Sequence, residues 1–386
     1  MTDEDEIRLS YRDPLVERLR AEGSLASGDV EVLLPGSFGF CWGVDRALAM
    51  VDEARREYAG RPLWLISSII HNPRVNADLR ASGIRFLRGE GAEPDGWARL
   101  GPDDVVIVPA FSAPVEDLER LERLGVTVVD TTCPWVVKPH KRTVKYVREG
   151  FTSVIHGTLG HEETEATCSL IRHHGGHYVV VHTLEETEVL ARFLEGVLDE
   201  AALRAGLPPS AFSPGFRPDE HLRRIGVINQ TTMLARESRA VGDRLRRALE
   251  RRDGGDGLDE SFRDFDTICR ATQDNQDAAE AVVAAAPDVY LVVGGFDSSN
   301  TKNLARVGDR AGIPSFHIEG PESLHADRVV HRERPGGAIV TTRDWLPAKR
   351  PLRVAFSAGA STPDTLLGAV VTRLFELAGA PAPASV

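Results

Sequence analysis

The strongest constraint on the fold is a layout that recurs along the chain: a short β-branched strand, a polar loop, an amphipathic helix, then another strand. In "DVVIVPAFSAPVEDLERLERLGVTVVD" an apolar run leads through Ser112 and Pro114 to Leu118, Leu121 and Leu124 at helical spacing, with Gly125 as the helix stop. The segments "PLWLISSIIHNPRVNADLRASGIRFL", "FTSVIHGTLGHEETEATCSLIRHHGGHYVVV" and "DVYLVVGGFDSSNTKNLARVGDRAGIPSFHI" repeat it, and "RIGVINQTTMLARESRAVGDRLRRAL" is a variant with a longer helix. Strands alternating with helices build parallel βαβ units, so an α/β fold with parallel sheets is expected. Open sheets of this kind bind ligands at the carboxyl ends of their strands.

The polar residues of this chain cluster where those ends should fall: His71-Asn72, His161-Glu162-Glu163, Asn229-Gln230-Thr231-Thr232 and Asp297-Ser298-Ser299-Asn300. Each also stands near an expected helix N-terminus, where unpaired N–H groups and the macrodipole favour an anion. Any one such loop is accounted for by helix capping, since Ser, Thr, Asn and Asp lead at the N-cap. Several in one chain point to a phosphate pocket.

Four cysteines, Cys41, Cys133, Cys168 and Cys269, are scattered over 386 residues, which argues against a secreted disulfide framework. Asp130-Thr131-x-Cys133 and Asp266-Thr267-x-Cys269 repeat one pattern, D-T-x-C. Cys41 and Cys133 are 92 residues apart, as are Cys269 and Ser361, which suggests domain-sized spacings. Cys168 lies inside an expected helix with Thr164 and Ile171, a core position for a small apolar side chain. The other three fall at strand-to-helix corners and suggest one metal centre. Structural zinc prefers four ligands in close C-x-x-C pairs, which are missing here, whereas an iron–sulfur cluster can be held by distant thiolates. Spacing alone leaves a structural role for these thiols open.

The net charge of -12 disfavours general binding to nucleic acid or anionic membranes. The acidic opening "MTDEDEIRLS" is unlike a signal or transit peptide, and no apolar run approaches the ~20 residues that span a bilayer. A cytoplasmic protein is expected.

The motifs "GFCWGVDRAL", "IIHNPRVNADL", "DTTCPWVVKPH", "HGTLGHEETEAT", "INQTTM", "DTICRATQDNQDA", "GGFDSSNTKNL" and "SAGASTPD", in this order, resemble the LytB-type 4-hydroxy-3-methylbut-2-enyl diphosphate reductases, from about Gly36 to about Leu367. The resemblance implies three similar small α/β domains in a pseudo-threefold trefoil around a central 4Fe-4S cluster, with Cys41, Cys133 and Cys269 as ligands and one open iron. It implies reductive dehydroxylation of the substrate to isopentenyl and dimethylallyl diphosphates, the last step of the methylerythritol phosphate isoprenoid pathway. Glu163 would be the proton source, with His71, His161, Asn229, Thr231, Ser298, Ser299, Asn300 and Ser361 binding substrate. Hydroxide is a poor leaving group, so a Lewis acid and a nearby proton donor suit this chemistry. Burial favours the protonated form of a carboxyl, as an acid requires. Rival readings are a non-catalytic iron–sulfur sensor and a cluster-free phosphosugar-binding α/β protein.

The expected boundaries are an N-terminal extension over 1–30, domains over 31–133, 134–268 and 269–361, and a C-terminal helix and tail over 362–386. Insertions near 204–221 and 251–262, rich in Pro or in Gly and Asp, read as surface loops. The chain departs from the better-studied bacterial pattern at Phe111 and Ser112, where a His-Gly pair is common, at Asn229, where a threonine is common, and at Asp297. "NQTTM", "PAFSA", "CPWV" and "HEET" are similar to the plant and cyanobacterial branch. Three of the five lysines, Lys138, Lys141 and Lys145, follow Cys133 together with Arg142 and Arg148. They form a solvated helix face or a docking patch for an acidic ferredoxin or flavodoxin.

Overall fold

The computed structural model describes residues 11–254, 257–334 and 337–381. Residues 1–10 of the expected N-terminal extension, 382–386 of the tail and 255–256 of the second insertion lie outside the described residues. The chain divides into two compact units, one of residues 1–63, 68–91 and 270–386, the other of 64–67 and 92–269.

The first unit is built on a seven-stranded sheet in the order Ser24–Ser27, Val30–Leu33, Leu352–Ala358, Val289–Val293, Ser315–Ile318, Arg328–Arg332, Ile339–Arg343. Its centre is parallel, Val30–Leu33 beside Leu352–Ala358 and Val289–Val293 between that strand and Ser315–Ile318. The run Val289–Val293 is apolar at every position because both of its faces are covered. Val289, Leu291 and Val293 pack with Leu15, Val16 and Leu19 of helix Pro14–Glu22 and with Val370, Leu374 and Phe375 of helix Asp364–Leu377. Tyr290 and Val292 face the other way, onto Val283 of Arg270–Ala284 and Leu304 of Ser299–Ala311. Thus the described part of 1–30 lies in a core. The antiparallel hairpin Arg328–Arg332/Ile339–Arg343 was not among the sequence expectations.

The second unit contains an all-parallel sheet in the order Phe262–Asp264, Ile225–Asn229, Thr152–His156, Tyr178–Val181. Its alternation again sorts the two faces: Val154, Val179 and Val227 pack with Leu190, Leu245 and Leu249, whereas Ile155, Val180 and Ile228 pack with Tyr146, Cys168 and Ile171. Cys168 is therefore core, as expected, and burial pushes its thiol up to about 12. A further parallel pair, Val105–Val108 beside Thr127–Asp130, is joined by helix Val115–Leu124, which ends on Gly125 in the left-handed conformation. The stretch 204–221 corrects one expectation. It is not simply a surface loop: Phe212 and Phe216 are buried in the core, and Phe212 bridges to Val179. Its Pro content sets the backbone, but its aromatic side chains decide the packing.

Candidate functional site

The repeated D-T-x-C pattern has one structural meaning. In the first copy the Asp130 carboxylate accepts from the amide of Thr132, the Thr131 hydroxyl donates to the Val108 carbonyl at 2.6 Å, and the Cys133 amide donates to the Ala110 carbonyl at 2.9 Å. In the second, Asp266 accepts from Ile268, Thr267 donates to the Asn229 carbonyl, and the Cys269 amide donates to the Thr231 carbonyl at 3.0 Å. The aspartate closes an Asx turn, the threonine moors that turn to the neighbouring strand, and the cysteine amide is fixed two residues beyond the mooring. Cys41 lacks the Asp-Thr pair, yet its amide is held in the same way by the Ala360 carbonyl at 3.2 Å.

Cys41 and Cys133 are the N-cap residues of helices Trp42–Glu57 and Pro134–Arg148, and Cys269 directly precedes Arg270–Ala284. All three are half-buried and outside any disulfide, unlike the buried Cys168. A helix N-terminus favours a thiolate, and thiolates are the ligands of iron–sulfur groups. Each of the three corners, taken by itself, offers a thiolate suited to such a group.

Within the second unit, Glu163 is 3% exposed in the first turn of helix Glu162–His173. Its carboxylate accepts from the Thr231 amide at 2.7 Å and from the Thr231 hydroxyl at 2.8 Å. A buried carboxyl gripped by two donors of one residue is fixed in direction, and the hydroxyl can pass a proton to it or take one. His161, the N-cap of this helix, accepts from the Glu163 amide through Nδ1 at 3.2 Å, which leaves Nε2 as the proton-bearing nitrogen of the neutral ring. The Phe111 ring packs edge-on to His161, 6.1 Å between centroids, and Ser112 beside it has φ +73°. A serine there holds a backbone position that glycine takes more readily. Asn229 is buried, and its amide and carbonyl are both bonded to the Thr267 hydroxyl. The hydroxyl against Glu163 comes from Thr231, so the asparagine at 229 does not remove it.

Within the first unit, His71, Ser298, Ser299, Asn300 and Ser361 come together. The Ser361 hydroxyl donates to the His71 carbonyl at 3.2 Å, and the Asn300 side-chain oxygen accepts from the Ala360 amide at 3.0 Å. A Cβ on Gly295 would stand 2.6 Å from the His71 carbonyl oxygen, so only glycine lets these segments approach. Ser298 caps helix Ser299–Ala311 by accepting from the Thr301 amide at 3.3 Å. Ser298, Ser299 and Asn300 are buried while Asp297 is exposed, so its negative charge is solvated.

Three side-chain amides of this unit, those of Asn72, Asn275 and Asn300, are at most 4% exposed, and their Nδ2 groups have no hydrogen-bond partner. Each is anchored through its oxygen: Asn72 caps Val75, Asn275 accepts from the Ser37 hydroxyl at 2.6 Å, and Asn300 holds Ala360. Buried donors are normally satisfied, so these mark where an acceptor belongs. Asn275 was missed from sequence. Its signal was a polar residue on the buried face that it shares with Thr272 and Gln276.

On helix Pro134–Arg148, Lys138, Lys141, Lys145 and Arg148 lie exposed along one face, and Lys138 sits 3.8 Å over the Trp135 ring. Arg142 is half-buried with its guanidinium on the Phe265 ring at 3.7 Å, so it contributes less to that face than its position in the charge run suggests. Among the described residues no helix is long and apolar enough to cross a membrane.

Comparison with known proteins places these motifs in context. The family model described as LytB protein matches residues 32–375. The 4-hydroxy-3-methylbut-2-enyl diphosphate reductase of Gloeobacter violaceus is 42% identical over 97% of this chain and 90% of its own length. That of Thermosynechococcus vestitus is 40% identical over 95% of this chain and 90% of its own length. Both are cyanobacterial, the branch to which the local motifs are similar. Among solved structures, (E)-4-hydroxy-3-methyl-but-2-enyl diphosphate reductase, described as the terminal enzyme of the non-mevalonate pathway, aligns with TM-score 0.54 and 26% identity over 89% of this chain and 99% of its own. The Plasmodium falciparum reductase shares the fold at TM-score 0.62 and 20% identity, over 87% of this chain and 85% of its own.

Proposed function

The chain belongs to the LytB protein family, and from that membership we propose that it is a cytoplasmic enzyme that reduces 4-hydroxy-3-methylbut-2-enyl diphosphate to isopentenyl and dimethylallyl diphosphates. The observation that carries this reading is the buried Glu163 carboxyl gripped by Thr231. Replacing the allylic hydroxyl by hydrogen takes two electrons and two protons, one leaving with the oxygen as water and one forming the new C–H bond. In this reading Glu163 delivers a proton to the leaving oxygen, and the Thr231 hydroxyl, with Asn229 behind it, keeps the carboxyl aimed. His161 and His71 hold the allylic end of the substrate. Ser298, Ser299, Asn300 and Ser361 bind the diphosphate, and the unpartnered amide of Asn300 supplies a donor without a formal positive charge. The three-domain division at 31–133, 134–268 and 269–361 belongs to the same proposal.

A 4Fe-4S cluster held by Cys41, Cys133 and Cys269, with one iron open, would supply the electrons and a Lewis acid for the hydroxyl oxygen. An acidic ferredoxin or flavodoxin would dock on the exposed lysine face of helix Pro134–Arg148, which begins one residue after Cys133. Opposite charge speeds encounter, and salt screens it. Changing Lys138, Lys141 and Lys145 to Gln should slow ferredoxin-dependent turnover at low salt and leave viologen-dependent turnover as it was. Equal losses with both reductants would remove the docking role.

The enzyme itself is tested by mixing anaerobically purified protein, reduced viologen and the substrate. Rapid viologen oxidation that is lost in Glu163→Gln supports the reading. Absence of oxidation by protein with full iron and sulfide content overturns it.

A further inference from the structure

The loop that carries Ser298, Ser299 and Asn300 leaves strand Val289–Val293 through Gly294, whose φ of +147° is open only to glycine. Such a turn has no intrinsic preference for one shape, so something must hold it. The adjacent parallel strand does so. His317, 3% exposed and in register with Val292, places Nε2 at 3.0 Å from the Gly294 carbonyl, and because a carbonyl only accepts, the ring must donate. One residue past the end of the same strand, the Glu319 carboxylate accepts from the Phe296 amide at 2.9 Å. The Phe296 ring packs edge-on to the His317 ring, 5.1 Å between centroids, and Arg332 of the following strand covers it at 4.8 Å. Two side chains, one in the strand and one just past its end, therefore grip the loop at residues 294 and 296. Two residues further on, Ser298 begins the helix.

Resting on the diphosphate role proposed for this loop, we propose that His317 and Glu319 are positioning residues: by fixing the Gly294 carbonyl and the Phe296 amide they hold Ser298, Ser299 and Asn300 in the geometry that receives the diphosphate. Neither side chain needs to touch substrate. Burial pushes the His317 imidazole down to about 4, so the ring is neutral at assay pH and its single N–H is committed to Gly294. The loop is then held by a donor that does not switch with pH. It also brings no positive charge that could compete for the anion.

The test compares steady-state kinetics of the anaerobic holoenzyme in His317→Leu, His317→Gln, Glu319→Leu and Ser299→Ala variants, with inorganic pyrophosphate as competitive inhibitor and melting temperature as the fold control. Loss of one buried hydrogen bond that orders a binding loop is expected to raise KM, and the pyrophosphate inhibition constant with it, about tenfold in His317→Leu, with kcat within about twofold. His317→Gln, whose side-chain N–H2 can still reach the carbonyl, should return both toward the parent values. Glu319→Leu, which leaves the His317 ring in place, should raise KM in the same direction and serves if His317→Leu does not fold. If Ser299→Ala raises KM while His317→Leu and Glu319→Leu do not, the positioning role is wrong and the diphosphate reading stands. If Ser299→Ala also leaves KM unchanged, that reading falls and takes this proposal with it. A fall in melting temperature and kcat without a rise in KM, or no recovery with Gln, would reduce His317 to a core residue and overturn the inference.

Discussion

Glu163, the proposed acid of the second unit, and three buried asparagines of the first, Asn300 of the proposed anion site among them, are bonded in opposite ways. Glu163 is satisfied from within, by the amide and hydroxyl of Thr231, and Thr231 is in turn linked through its carbonyl to Cys269. Asn72, Asn275 and Asn300 are satisfied on their oxygens alone, and their N–H2 groups have no partner. An unmade buried hydrogen bond costs about 1–3 kcal/mol. On the proposed roles, the unpartnered Asn300 amide is a donor left for the anion, whereas a proton donor must be aimed before substrate arrives. If the proposed roles hold, the two halves of the chemistry are prepared differently, the acid by internal bonding and the anion contact of Asn300 by an internal bond left unmade.

The sharpest way to break this comparison is to change the charge state of the satisfied side. Glu163→Gln keeps an oxygen for the Thr231 amide and an N–H2 for its hydroxyl, so the fold should survive while viologen-linked turnover falls about 10²–10⁴-fold, the usual contribution of a positioned acid. Asn300→Asp acts on the other side: the oxygen that holds Ala360 remains, but the free donor becomes a charged acceptor facing the anion. KM for the diphosphate substrate should rise about ten- to a hundredfold, on the scale of a charged hydrogen bond lost, with kcat at saturation less affected.

The cysteine corners allow a smaller, structural test. Thr267 both accepts from the Asn229 amide and donates to its carbonyl, so one hydroxyl satisfies two backbone groups. Thr267→Val should therefore destabilise by about 1–3 kcal/mol, read as a fall in the chemical denaturation midpoint. The smallest effect concerns Cys168. With its thiol pushed up to about 12 by burial, it should resist iodoacetamide at neutral pH while Cys41, Cys133 and Cys269 of cluster-free protein react, as peptide mass mapping would show.

Much of this could be read from the chain because its strands are short, buried on both faces and separated by helices of clear period. The strands, the cysteine corners and the companions of Glu163 all belong to contiguous motifs. What escaped was set by packing across the sequence. Asn275 is a polar residue on the buried face of helix Arg270–Ala284, and its significance lies in an unpaired N–H2 that no spacing displays. Residues 204–221 were read by their prolines, but Phe212 and Phe216 fill a core contributed by distant strands. Asn229 departs from the common threonine, yet its backbone amide and carbonyl are the groups that Thr267 holds, a role that does not depend on its side chain. In the hairpin, strand Ile339–Arg343 exposes every other position and Arg328–Arg332 buries only Val329 and His331, so neither carries a strong apolar signal.

The central claim is that binding the anion and delivering the proton are separate tasks of separately prepared residues. Calorimetric titration of the anaerobic holoenzyme with inorganic pyrophosphate tests it directly, with Glu163→Gln and Asn300→Asp alongside the parent. The account predicts that Glu163→Gln binds as the parent does, although it turns over almost nothing, and that Asn300→Asp loses about ten- to a hundredfold in affinity. Pyrophosphate binding that vanishes in Glu163→Gln, or that is unchanged in Asn300→Asp, would contradict it.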